Sequence, residues 1–445
     1  MLSQWRAGIA LCLATLGSSL LFVPACSTPA PVAGPVVLRL GVALTPPELA
    51  SFEPALEALA RTHPEWHVLL ETTPQSGVAE KISAQLASGT LPDVVRVQGL
   101  MVQPWIRQGA FTDLSQAIEN GAFDVSDFYP GALEQFRWQG RLWGLPDTAA
   151  PDVVFYNLDM FDAAGIPYPT DEWTYADMRR AAILLTLDGD GRNPTDPEFD
   201  SQTVRQWGWN GGITNLWQRH LVQPFGGDFC SNQDCTRMDF TSPETISAVE
   251  WWASLVQVDQ AAPYDPYSGA QTGVPGDPFV AGKAAMGYNG FFAVGQLNEL
   301  GTIRYDMAQP FLGSGDQRFT PLSTNGYVVS ADTEHPEQAW ALVQALLQQE
   351  FLEETWGIPG HSVPARLSAS DSVLRPTSSA GNLQVILAAM EYGSIFRPYT
   401  ASALEANAKT AALFIQAMRG ELSVAEAMGR VEAIANDVLA RDRQP

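Results

Sequence analysis

An early alternation of strand-like and helix-like stretches is what most restricts the fold of this chain. "VVLRLGVAL" alternates apolar residues with others, and "ELASFEPALEALARTHPE" then brings Leu49, Phe52, Leu56 and Leu59 to helical spacing, with Pro54 either starting or kinking the regular part. "WHVLLET" reads as a second strand. "VAEKISAQLASG" sets Ala79, Ile82 and Leu86 on one helical face and ends on Gly89, a fitting C-cap, before a third strand at "PDVVRV". Strands alternating with helices of this length predict an open, mostly parallel α/β sheet covered on both faces. Ligands of such sheets sit beyond the carboxyl ends of strands, where strand order reverses. That places a candidate site at residues 43–48 and 98–101.

The chain is too long for one core. Its 445 residues are 46% hydrophobic, and single cores stop growing near ~250–300 residues. A second unit of the same kind begins near residue 150, where "DVVFYN" reads as a strand. "TYADMRRAAILLT" follows as a helix capped by Thr174, with Tyr175, Met178, Ala182 and Ile183 on one face. Later helices are written in "PETISAVEWWASLVQ", "PEQAWALVQALLQQEFLEETW", "ALEANAKTAALFIQAMRG" and "VAEAMGRVEAIANDVLAR". The formal charge of −24 argues against nucleic acid and against an anionic membrane surface, since both require basic patches. It also disfavours a highly anionic ligand.

The N-terminus carries an export signal. Residues 1–25 hold one charge, Arg6, and an apolar stretch from Ile9 to Val23 that is too short and too interrupted for a membrane span. Val23-Pro24-Ala25-Cys26 resembles a bacterial lipobox, in which cleavage leaves a lipid-modified cysteine at the new N-terminus. The plainer alternative is an ordinary signal peptide that contains a cysteine. Residues 26–36 form a Pro-rich tether, too poor in large apolar side chains to pack. Cys230 and Cys235, in "FCSNQDCT", read as a small disulfide loop in an exported chain. Zinc would need two further ligands, and His220 is the only histidine close in sequence.

A resemblance then accumulates along the chain. "WQGRLWGLPDTAAPDVVFYNLDMFDAAGIPYPTDEWTYADM" is similar to a segment of carbohydrate-class extracellular solute-binding proteins (family 1) of ABC transporters. "FGGDFCSNQDCTRMDFTSPETISAVEWWASL", "FVAGKAAMGYNGFF", "NGYVVSADTEHPEQAWALVQAL" and "GIPGHSVPARLSA" resemble further family segments in the right order, from about residue 38 to 430. The resemblance implies the two-lobe type II periplasmic-binding-protein fold, with discontinuous lobes and a hinge. By analogy the chain crosses near Asp147 to Pro151, near Met307 to Pro310 and near Gln349 to Phe351. The N-terminal lobe would then comprise 37–148 and 308–349, and the C-terminal lobe 149–307 and 350–445. It further implies a monomeric lipoprotein on the outer face of the cell membrane that closes over a sugar or oligosaccharide and delivers it to ABC permease subunits, with no chemistry and no required cofactor.

A sugar presents apolar C–H faces and a rim of hydroxyls, so its site needs flat rings and paired hydrogen-bonding groups. In "QWGWNGGITNLW", Trp209 and Trp217 lie among helix-breaking glycines that would let a ligand approach the backbone; either one stacks on ligand or both are buried. "GYNGFF" offers Tyr288 and Phe291 at a Gly-rich turn. Strand ends and family position add Thr45, Glu48, Gln98, Asp147, Asn325 and Arg366, each otherwise a loop residue or cap. In "LDGDGRNPTDPEFD", Asp188, Asp190 and Asp196 resemble the opening of a calcium loop, although Arg192 and Phe199 stand where an EF-hand needs ligands; the alternative is a solvated Asx-turn loop. No G-x-S-x-G, H-E-x-x-H or Walker-type loop is present. The competing class is therefore a secreted hydrolase of carbohydrates using paired carboxylates.

Overall fold

A computed structural model describes residues 34–441, apart from 75–76, 122, 232–234, 236, 274, 376–381 and 394–400. The signal peptide, Cys26 and most of the tether lie outside the described residues. From Val36 onward the described chain is one unit.

Its strands are β1 (Val36–Val42), β2 (Trp66–Thr72), β3 (Val94–Gln98), β4 (Arg137–Trp138), β5 (Arg141–Leu142), β6 (Leu145–Asn157), β7 (Trp207–Trp209), β8 (Ala284–Gly290), β9 (Tyr305–Ala308), β10 (Leu322–Val329) and β11 (Val363–Pro364). β4 and β5 form a separate small hairpin, and the main sheet runs β2-β1-β3-β10-β6-β8-β7, with β9 and β11 both paired to β6. β1, β2 and β3 are parallel, as their connecting helices require, and so are β7 and β8. β10 lies antiparallel to both β3 and β6, and β6 antiparallel to β8 and β9. The sheet is thus mixed rather than mostly parallel, because strands that return from the other half of the molecule run in reverse.

β6 organises the whole. Residues 145–151 pair with β10, from Tyr327↔Leu145 to Leu322↔Pro151, and with β11. Residues 152–157 pair instead with β8, from Asp152↔Gly290 to Tyr156↔Met286, and with β9. One continuous strand therefore serves two lobes, and the passage between them falls at Pro151–Asp152. A second passage follows β9, between Ala308 and Leu322.

The first lobe packs helix Pro46–Thr62, which buries Phe52, Ala55 and Leu56, and helix Pro336–Leu346, which buries Ala339, Leu342, Val343 and Leu346, around Leu38, Leu40 and Val94. Helix Val78–Ser88 buries Ile82 and ends on Gly89 at φ 64°, the left-handed region open to glycine. The first core continues past β6 to Phe155, Phe279 and Tyr305 on one face of the second lobe's sheet. The opposite face carries helices Tyr175–Leu185, Pro243–Gln257, Ala401–Arg419 and Val424–Ala440 over Trp209, Trp252, Met286 and Phe414.

The expected passage at Gln349 to Phe351 is not there: residues 350–375 and helix Gln384–Tyr392 pack on the first core, although the Asn382 N–H donates to Asp306 of β9 at 2.6 Å. Phe351 packs edge-on against Phe52 at 5.4 Å, Trp356 lies 6.2 Å from the same ring, and Ile386 and Met390 belong to the first core. Helix Ala401–Arg419 belongs to the second core, through Ala403, Ala406 and Phe414. Sequence periodicity marks a helix here but carries nothing about which lobe the helix covers.

Candidate functional site

Where β6 passes between lobes, the ends of β3, β7 and β8 and the approach to β10 enclose a cavity of about 420 Å³. The first lobe supplies Gln98, Leu100, Met101 and Ser323. The second supplies three rings, Trp217, Tyr267 and Tyr288, and the amides Asn210, Asn215 and Gln218. The volume and the mix of rings and polar groups are those of a small-molecule site, which typically spans ~300–1,000 Å³. Tyr267 also lines a neighbouring, more open hollow of about 840 Å³ with Asp277, Asn289 and Phe292.

Second-lobe packing fixes these side chains. The Tyr288 and Tyr175 hydroxyls are 2.9 Å apart, and the Tyr288 ring meets that of Trp209 edge-on at 5.3 Å. Gln218 holds the loop after β7 by accepting at Oε1 from the backbone N–H groups of Thr214 (2.6 Å) and Asn215 (3.2 Å). Asn210 donates to Asp277 at 3.1 Å. The glycines of "GWNGG" serve close packing of the protein itself: a Cβ on Gly208 would lie 1.9 Å from the Ala182 carbonyl oxygen, and one on Gly211 would lie 2.6 Å from Pro266. Ligand approach is not what requires them.

Besides the buried tyrosines, two carboxyls and a histidine in and behind the cavity are perturbed. Asp152 lines it; burial pushes its carboxyl up to about 7, and the charge of Asp277 adds to the shift. Asp277 is itself raised by burial, against the opposing pull of donors from Val280 (3.1 Å), Asn210 (3.1 Å) and Phe279 (2.8 Å). His220 is 7% exposed, and burial pushes its imidazole down to about 3, so it is neutral. Its Nδ1 has no hydrogen-bond partner among the described residues.

Several predicted residues meet at this cavity and several do not. Gln98, Trp217 and Tyr288 line it, and Asn325 pairs in register with Gln98 on β10. Trp209 borders it but is 1% exposed, with Tyr288, Trp252 and Phe311 around its ring, so it is a wall of the core rather than an open platform. Asp147 does not face the cavity at all. It is fully buried and accepts from Arg96 Nε at 2.6 Å, while the Arg96 guanidinium lies 4.2 Å from the centre of the Trp356 ring. Arg366 is a brace: it donates to Asp127 at 2.8 Å and to the Leu347 carbonyl at 2.9 Å. Phe291 is buried in the first core. Thr45 and Glu48 bond to each other at the start of helix Pro46–Thr62, the Thr45 N–H and hydroxyl donating to Glu48 at 2.7 and 2.8 Å. This is a helix cap.

Cys230 and Cys235 are disulfide-bonded, with Cα atoms 4.8 Å apart. The acidic loop is filled by a cation of its own, so its carboxylates do not gather around an open site. Arg192 donates to Asp188 at 3.0 Å, to Asp190 at 2.5 Å and to Glu198 at 3.2 Å. Asp196 instead accepts from the Glu198 N–H at 2.9 Å. Among the described residues no three carboxylate, His or Cys groups are placed to hold a metal.

Asp152, Asn210, Asn215, Gln218, His220 and Tyr267 were not expected from the sequence. Asp152 had a usable signal, since it follows directly on the expected passage at Asp147 to Pro151. β6 shifts register at Asp147, which has no partner on β10, so simple alternation does not tell which of residues 147 and 152 serves the cleft. Tyr267 stands in a Pro/Gly-rich loop that no periodicity marks.

Two α/β lobes sharing a strand, with a preformed cavity at the junction, define a protein that captures a small molecule. The chain belongs to the bacterial extracellular solute-binding protein family, whose model matches residues 44–351. It is also similar to an uncharacterized lipoprotein in the oleD 5' region of Streptomyces antibioticus, 30% identical over 190 residues that cover 42% of this chain and 41% of that one. In fold it matches the cyclic alpha-maltosyl-1,6-maltose binding protein from Arthrobacter globiformis (TM-score 0.75, 21% identity, 92% of this chain and 100% of that one). It likewise matches the ABC substrate-binding protein Lmo0181 from Listeria monocytogenes in complex with cycloalternan (TM-score 0.73, 22% identity, 91% and 99%).

Proposed function

We propose that this protein captures a sugar or oligosaccharide in the cavity between its lobes and delivers it to the permease of an ABC importer. The observation that carries the reading is the pairing of aromatic rings, Trp217, Tyr267 and Tyr288, with amides from both lobes, Gln98, Asn210, Asn215 and Gln218, around one cavity. Rings cover the C–H faces of a pyranose and amides take its hydroxyls in pairs. Fold neighbours that bind cyclic alpha-maltosyl-1,6-maltose and cycloalternan support the same class of ligand. Binding to both lobes favours the closed arrangement, a hinge motion about the β6 passage. A thermal-shift screen against mono- and oligosaccharides tests the reading. A ligand that raises the melting temperature and is recovered intact supports it; turnover to shorter sugars would instead identify a hydrolase, and no shift with any carbohydrate would end the proposal.

The chain reaches the cell exterior, as its family does, and its retention there is assigned to acylation of Cys26. The Cys26→Ser variant is expected in the soluble fraction. Continued recovery with membranes would show that another segment anchors it. We assign the monomer as the working unit, which light scattering of the mature protein with and without sugar checks.

A further inference from the structure

Charge is the most unusual property of the cavity. Among the described residues lining it there is no Lys or Arg, and its one ionisable acid is Asp152. No donor among the described residues is bonded to the Asp152 carboxylate, although its backbone carbonyl is taken by the Thr320 hydroxyl at 2.5 Å. The groups that interact with it are Asp277, on the loop before residues 278–280, and Tyr267 on the neighbouring loop, while Tyr288 on β8 and the neutral His220 share the cavity lining. Arg318, whose charge is felt at Tyr288, is bonded to the carbonyls of Pro310 and Asp171. A carboxylate beside another carboxylate, without a cation, is short of positive charge. His220 also borders the cavity; its side chain is more than nine-tenths buried, and its Nδ1 has no hydrogen-bond partner among the described residues. An orphaned buried group of this kind is costly until a ligand or water satisfies it.

We infer that the ligand is a carbohydrate bearing a protonated amine, whose ammonium group seats against Asp152 between the rings of Trp217, Tyr267 and Tyr288. This rests on the carbohydrate reading above and narrows it. Rings attract a cation through their negative faces, and a carboxylate adds a charge-assisted hydrogen bond. The same arrangement rejects uronic acids and sugar phosphates by repulsion from Asp152 and Asp277. It also sets a pH dependence. The ammonium group stabilises the ionised form of Asp152, whose carboxyl is at about 7 without ligand, so Asp152 gives up a proton on binding and affinity rises with pH through that range until the amine itself deprotonates.

The test uses matched hexoses: glucosamine, galactosamine and mannosamine, each against its neutral parent and the corresponding uronate, by calorimetry on the mature protein. At pH 7.5 at least one amine is expected to bind about tenfold or more tighter than its parent, with the uronates weakest, since one unit of pKa shift corresponds to tenfold. Lowering the pH to 5.5 should erase most of that advantage, and Asp152→Asn should bring the ratio of amine to parent close to one while the unliganded protein still unfolds cooperatively. Should Asp152→Asn fail to fold, the pH dependence of the unaltered protein decides alone. The inference falls if no amine binds, if every amine binds no better than its parent, or if the advantage is indifferent to pH. The carbohydrate reading survives those results provided that some neutral sugar or oligosaccharide binds, and fails only if none does.

Discussion

Two tryptophans and one aspartate separate core from cleft. Trp209 fills space between Trp252, Tyr288 and Phe311, so Trp209→Ala leaves a void and is expected to cost about 3–5 kcal/mol of stability, read from denaturant unfolding. Trp217 lines the cavity from a partly exposed position. Trp217→Ala should leave the melting temperature nearly unchanged and weaken sugar binding by about 1–4 kcal/mol, roughly fivefold to just under a thousandfold. The reverse pattern would exchange their roles. Asp147→Ala would strand the guanidinium of Arg96, itself 4% exposed, against Trp356. Losing one partner of a buried pair costs about 3–5 kcal/mol, and a loss below about 1 kcal/mol would show that water reaches Arg96. The sequence makes a cluster of aromatic and acidic residues visible, but not their facing, because Trp207, Trp209 and Trp217 sit in short segments without a period from which to read a buried side.

At the scale of elements, the acidic loop and the disulfide make separate expectations. Burial pushes the Asp188 carboxyl up, but the N–H groups of Arg192 and Asp200 and the guanidinium of Arg192 outweigh it and hold it at about 2. A carboxyl depressed on folding stabilises fully above its unfolded value, about 3.9, and loses that contribution as pH falls through about 2. Asp188→Asn should therefore narrow the gap to the unaltered protein only in strong acid. Because Arg192 already neutralises the loop, a chelator should leave the melting curve where it was; a fall reversed by calcium would restore the metal reading. The Cys230–Cys235 loop is short, so its reduction should cost less than the ~3 kcal/mol associated with a 15-residue loop. Helices and strands with a clean period, such as β1 and helix Pro336–Leu346, are legible from sequence alone. The spacing of acids in the loop carries no information about Arg192 folding back among them.

For the whole molecule, the ordered run of family-like segments foretells the two-lobe α/β plan, while the lobe that takes residues 350–375 and helix Gln384–Tyr392 is not legible. That assignment depends on long-range packing of Phe351 and Trp356 on Phe52, contacts that no local pattern encodes. Sharing β6 couples the lobes, and unfolding is expected to be a single cooperative transition in calorimetry. Two resolved transitions would mean that each half of β6 holds its own sheet independently.

The position of β10 in the first sheet also bears on when that sheet comes into existence. β3 and β6 do not touch as neighbours; the strand between them is residues 322–329, paired to both. As the chain is made from its N-terminus, more than two hundred residues follow β3 before its partner emerges, and until then β3 and β6 present open edges. Non-local pairing of this kind is slow to form. For a protein destined to cross a membrane before it works, that delay is useful, since the nascent chain cannot complete its first lobe while most of it is still inside. A chain stopped just before residue 322 should show no cooperative unfolding and should aggregate through those edges, whereas one carrying β10 and everything after it should not.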